Sequence, residues 1–217
     1  MIFLGPSLPH EEARRILDAD YRPPVKRGDL LELPEGVEVV GIIDGVLLSD
    51  AAVGHREILQ LMQRGTRVIG GGSMGALRAA ELDSLGMIGV GRIYEEYSSG
   101  RIEGDDEVVL MFDPFTLAAL SEPLVNLRLN VEEAVKDRVI SESDAMIIIE
   151  QLKSTFYPKR SYEMLLAISR KVLQQTTMKK FESYIKSKNR NFKRIDAISV
   201  IKAVKSAQKK LRKINCR

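Results

Sequence analysis

Apolar residues fall in short unbroken runs in the first third of the chain and at helical spacing in the last. Ile2-Phe-Leu4 is a β-type run stopped by Gly5-Pro6-Ser7. Val37-Glu-Val-Val-Gly-Ile-Ile43 is continuous enough for a strand covered on both faces, which suits a parallel sheet. Between them the pattern predicts a helix over Pro9–Ala19, with Glu11 and Glu12 in its first turn. The prolines of Tyr21-Arg-Pro-Pro24 hold Arg22 on an extended segment. A second helix over Ala51–Arg64 puts His55, Leu59 and Met62 on one stripe, and Gly65 closes it. A strand at Thr66–Ile69 follows, then a glycine-dense turn and a further helix.

Strand–helix–strand–helix with short connections makes a right-handed βαβα pattern. The expected fold class is α/β, a small parallel Rossmann-like sheet flanked by helices. Arg92–Tyr97 reads as a helical turn, and Val108–Phe112 and Leu124–Leu129 are further strand candidates. From Val131 onward helical spacing dominates, over Val131–Val139, Ser141–Leu152, Tyr162–Gln174, Thr177–Lys188 and Ile195–Lys213. Pro158 marks the expected boundary of a basic, all-helical C-terminal domain, 158–217. That leaves a core over 1–130 and a helical connection over 131–157.

Charge sharpens this division. Residues 1–150 hold 14 Lys and Arg against 27 Asp and Glu, while residues 151–217 hold 19 basic residues and only Glu163, Glu182 and Asp196. Such asymmetry points to modules with different partners. The basic end suits protein docking, with nucleic acid as the alternative; its thin aromatic content argues against a base-stacking platform. No run of eighteen apolar residues occurs and no basic-then-apolar leader opens the sequence, so the expectation is a cytoplasmic protein without a membrane partner. Cys216 is the single cysteine and His10 and His55 the only histidines, which leaves no cysteine- or histidine-rich metal site.

The chemistry concentrates at Thr66-Arg-Val-Ile-Gly-Gly-Gly-Ser-Met-Gly-Ala-Leu-Arg-Ala-Ala-Glu-Leu82. Gly71-Gly-Ser-Met-Gly75 fits G-x-S-x-G, the elbow that lifts a serine above a sheet. Gly70, Gly72 and Gly75 equally fit G-x-G-x-x-G, a phosphate-cradling loop. Both readings point backbone N–H groups of a helix N-terminus at negative charge. Asp44 ends a strand and His55 opens the following helix, so both are expected near the same sheet edge as Ser73. Arg78, inside an alanine-rich helix, needs either Glu81 or an anionic ligand.

Several segments together resemble the core domain of the TfuA-like family. They are Phe3-Leu-Gly-Pro-Ser-Leu8, Tyr21-Arg-Pro-Pro24, Arg27-Gly-Asp29, Gly41-Ile-Ile-Asp-Gly-Val46, His55-x-Glu-Ile-Leu59, Gly72-Ser-Met-Gly-Ala-Leu-Arg-Ala-Ala-Glu-Leu82, Gly86-Met87 and Gly104-Asp-Asp-Glu-Val108. The likeness covers roughly residues 1–130 and leaves out the basic end. It implies an accessory role in peptide backbone thioamidation beside a YcaO-type enzyme. It implies, further, sulfide release by ATP-independent hydrolysis of a thiocarboxylated, ThiS-like sulfur carrier, serving the thioglycine of methyl-coenzyme M reductase in methanogens and their relatives. No cofactor is implied.

Carried onto this sequence, the candidates are Asp44, His55, Ser73, Arg78 and the acidic run Asp105-Asp-Glu107, with Arg22 as a further substrate contact. Thioacid hydrolysis needs a nucleophile, a base and an oxyanion stabiliser. Ser73 is the nucleophile or the residue that orients a water, and the loop of Gly72, Met74 and Gly75 offers the oxyanion donors. His55 is the expected base, with Asp44 holding its tautomer. The plain alternatives are a helix-capping Ser73, an Arg78 paired only with Glu81, and an acidic run that is solvated or binds magnesium. At the level of function, the alternative is a non-catalytic adaptor that docks the carrier or a phosphate-bearing ligand on its partner.

Overall fold

The computed structural model describes residues 1–47 and 51–215; Cys216 lies outside them. Five parallel strands form the sheet: β1 (Ile2–Phe3), β2 (Tyr21–Arg22), β3 (Val39–Ile42), β4 (Arg67–Gly70) and β5 (Ile88–Gly89). Their order is β2-β1-β3-β4-β5. The chain turns one way after β1 and the other way after β3, so the switch point of this doubly wound sheet lies between those two strands. The expected parallel α/β sheet is therefore present. The edge strands β2 and β5 have only two residues each, too short to carry a periodic signal.

Every residue of β3 is buried, as a strand covered on both faces requires. Helices α1 (His10–Ile16), α2 (His55–Gln63), α3 (Met74–Leu82) and α4 (Arg92–Ser98) follow their strands. The expected start of α2 at Ala51 moves to His55, where Glu57 accepts from the Gly54 N–H at 3.1 Å and closes a capping box.

Two candidate strands are corrected. Leu124–Leu129 is the first half of helix α5 (Leu124–Lys136), because Leu124, Leu127, Val131 and Ala134 bury one face at helical spacing. Val108–Phe112 forms no strand; only an isolated bridge joins Phe112 to Ala119. Helices α6 (Glu142–Lys153), α7 (Tyr162–Val172), α8 (Gln175–Lys188) and α9 (Phe192–Asn215) complete the described chain.

The chain divides into two compact units, one of residues 1–105 with 193–217, the other of residues 106–192. The helical unit is thus an insertion, and α9, all but its first residue, returns to the α/β unit. The division falls neither at 130 nor at Pro158. In the α/β unit, Ala197, Val200, Ile201 and Val204 of α9 share one core with Ile2, Leu4, Val39, Ile43 and Ile69. These are alternate strand residues, one face of the sheet. In the helical unit, Leu127, Val131, Ile148, Leu152, Leu165, Phe181 and Ile185 form a separate core.

Asp196 fixes the first turn of α9 within the α/β unit. Its buried carboxylate accepts from the N–H groups of Arg92 at 3.1 Å and Ile93 at 2.8 Å, capping α4. Burial pushes its pKa up from 3.8 to about 6, against the opposing pull of those two N–H groups. The native state then holds this proton more tightly than the unfolded chain does, so the group stabilises fully at low pH and loses that contribution as pH rises towards about 6. Urea midpoints of wild type and Asp196→Asn, compared from pH 4 to 7, are expected to show wild type losing ground to the variant across that window. Parallel curves would refute this.

Candidate functional site

Two polar centres lie at the C-terminal edge of the sheet in the α/β unit. The first is buried at the switch point. Asp44, at the end of β3 and 2% exposed, accepts from the N–H groups of Gly5 at 2.9 Å and Ser7 at 3.0 Å and from the Ser7 hydroxyl at 2.6 Å. The Lys193 ammonium, equally buried, lies 3.8 Å from the same carboxylate. Asp44 therefore ties the β1 loop to the end of β3.

The glycine turn sits on top of this centre. Gly72 has φ +78°, and a Cβ there would lie 3.1 Å from Ile43 and 3.4 Å from the Lys193 carbonyl oxygen. Ser73 precedes α3 without a side-chain cap and is 2% exposed. Its N–H donates to Gly71 at 2.9 Å. Of the two N–H groups expected to receive an oxyanion, that of Gly75 donates to the Ile43 carbonyl at 3.2 Å, while that of Met74 meets no acceptor among the described residues.

The second centre is an open cleft of about 610 Å³. His55, Arg78, Glu81, Arg27, Met74 and Asp105 are among the residues that line it. One Glu81 oxygen accepts from Arg78 at 2.5 Å and lies 2.8 Å from His55 Nε2. Arg78 also donates to the Val53 carbonyl at 3.0 Å, so its guanidinium is held from two sides. With Glu81 as acceptor, Nε2 carries the His55 proton and Nδ1 is the basic nitrogen. Glu57 accepts from Gly28 N–H at 2.7 Å, and Arg27 N–H donates to the Ala51 carbonyl at 2.7 Å; together they set Arg27 at the rim. On another rim segment, the Tyr97 hydroxyl donates to the Gly104 carbonyl at 2.9 Å.

The predicted residues are therefore distributed rather than gathered. His55, Arg78, Met74 and Asp105 share the cleft. Asp44 is in the buried centre, and no hydrogen bond among the described residues joins it to His55, or either of them to Ser73. Glu81 is the carboxylate beside His55. Arg22, on the edge strand, pairs with Asp20 at 3.2 Å. Within the helical unit, Asp106 pairs with the buried Arg160 at 2.9 Å, and Glu107 with Arg128 at 2.5 Å. No group of three or more His, Cys, Asp or Glu among the described residues is arranged to hold a metal ion.

A family model described as TfuA-like protein matches residues 44–161, more than half of the 217. The chain belongs to the TfuA-like family. A comparison with curated proteins gives no match. Membership is consistent with a thioamidation-associated accessory protein, and TfuA-like proteins are associated in general with YcaO-type partners. The TfuA-like segment runs beyond residue 130 into the helical unit. It takes in Asp44, His55, Ser73, Arg78 and Glu81 but neither Ser7 nor Lys193, the side-chain partners of Asp44. Sequence reasoning missed Lys193 because it lies about 150 residues downstream, inside a basic helix whose other lysines are mostly exposed. Glu81 was visible, but as a partner of Arg78 alone. Among the described residues no helix is long and apolar enough to cross a membrane.

Proposed function

We propose that this TfuA-like protein releases sulfide by ATP-independent hydrolysis of the C-terminal thiocarboxylate of a ThiS-like sulfur carrier and delivers it to a YcaO-type enzyme, for the thioglycine of methyl-coenzyme M reductase. The observation that carries the proposal is the shared Glu81 carboxylate, which sets a base and a cation side by side on one cleft wall. Arg78, with Arg27 across the rim, attracts the thiocarboxylate. His55 Nδ1 takes a proton from a water as that water's oxygen bonds to the thioacyl carbon. The Met74 N–H receives the oxyanion, and Ser73 orients the water or the loop. The C–S bond then breaks, the proton passes from His55 to the departing sulfide, and the carrier leaves as its carboxylate.

The separation of Ser73, His55 and Asp44 favours a second reading, the adaptor that docks the carrier without cleaving it. Purified protein mixed with thiocarboxylated carrier, without ATP, decides between them through the rate of sulfide release. Release is expected from wild type, with a loss of about 10²-fold in His55→Ala, the scale of a lost general base. Ser73→Ala is expected to fall by a similar or smaller factor. Wild-type rates in both variants would leave the adaptor reading standing and remove the hydrolase.

A further inference from the structure

We infer that the crevice beside Ser73 is a site for a carboxylate-type anion whose fixed positive charge is Lys193, with Asp44 as its built-in counter-ion. The site lies where doubly wound sheets place their ligands, outside the strand ends at the switch point. Three donors of different origin converge there. The first is the N-terminus of α3, whose leading N–H, at Met74, has no acceptor among the described residues.

The second is the Ser73 hydroxyl, which is nine-tenths buried and more, and has no hydrogen-bond partner among the described residues. Among those residues no side-chain oxygen sealed from solvent lacks a partner, so this hydroxyl opens onto water at the helix end. The third is Lys193. Its backbone packs against Gly72, as the 3.4 Å approach to that glycine shows, and its ammonium is 3% exposed. Gly72, without a side chain, leaves α9 and the serine loop in direct apposition.

A buried ammonium–carboxylate pair is weak evidence for stability, because an apolar pair of the same shape often serves as well. At this position it has a use. Asp44 already accepts three hydrogen bonds, from Gly5 N–H, Ser7 N–H and the Ser7 hydroxyl, which hold it in place. It therefore moderates the Lys193 charge without moving onto it. An incoming anion is drawn by Lys193 and opposed by Asp44, which keeps its binding reversible. The thiocarboxylate as physiological occupant rests on the reading above; the anion site itself does not.

The test is titration of the full chain with acetate, followed by the amide shifts of Ser73 and Met74. Wild type is expected to show saturable shifts at both. Lys193→Met should weaken binding by about tenfold, the loss expected of one nearby charge. Asp44→Asn keeps oxygen acceptors for Gly5 and Ser7 but removes the counter-charge, so it should tighten binding severalfold. Opposite signs in the two variants establish an electrostatic role. Equal weakening in both, or no shift at Met74 in wild type, overturns the inference. Should Lys193→Met not fold, Lys193→Arg must retain binding while Asp44→Asn strengthens it, and failure of either overturns the inference equally. Acetate binding without any sulfide release would sink the thiocarboxylate reading and leave this site standing.

Discussion

Gly75→Ala is expected to destabilise the α/β unit by at least about 3 kcal/mol, a cost in the range of severe overpacking. A methyl group at Gly75 would overlap the Ile42 carbonyl oxygen and lie 2.6 Å from its carbon, with the Gly70 Cα at 3.3 Å. All three are backbone atoms, so no side chain can turn aside to make room. Relief requires α3 to lift from β3 and β4, which breaks the Gly75 N–H bond to the Ile43 carbonyl and carries Ser73 away from the Lys193 backbone. Thermal and urea unfolding of the purified variant would measure the loss. A stability within about 1 kcal/mol of wild type would mean that α3 does not pack as closely as described.

Arg78→Met is expected to lower kcat/KM for sulfide release by about 10²-fold or more, mainly through KM. Its guanidinium is 13% exposed and is held by Glu81 and the Val53 carbonyl while lining the cleft. Methionine keeps much of the stem's packing but removes the charge that attracts a thiocarboxylate. Arg78→Lys should recover only a fraction, because one ammonium cannot reproduce a planar fork held at two points. If Arg78 serves only to brace Glu81, folded Arg78→Met will turn over a small thioacid at the wild-type rate. That result would separate bracing from substrate attraction.

Much of the α/β character could be read from period and punctuation. The run Val37–Ile43 could only be a strand covered on both faces, and Gly70–Gly75 could only be a tight strand-to-helix turn. Leu124–Leu129 misled because a short apolar run fits a strand and a buried helix equally well; its burial continues at helical spacing to Ala134. The acidic run at Asp105–Glu107 looked like one feature because charge is read by adjacency. In the fold Asp105 lines the cleft of one unit, whereas Asp106 and Glu107 are neutralised by Arg160 and Arg128 of the other.

The sequence by itself determined the parallel sheet and its glycine turn, together with the residues that resemble the TfuA-like family, because hydrophobic period, glycine and short motifs are local properties. Tertiary structure alone decided which groups meet. It paired His55 with Glu81 rather than Asp44, gave the Gly75 N–H to Ile43, and set Lys193 beside Asp44 from the far side of an 87-residue insertion, 106–192. Such partnerships follow from strand order and from the return of α9 to the sheet face, which join residues with no spacing in sequence to announce them.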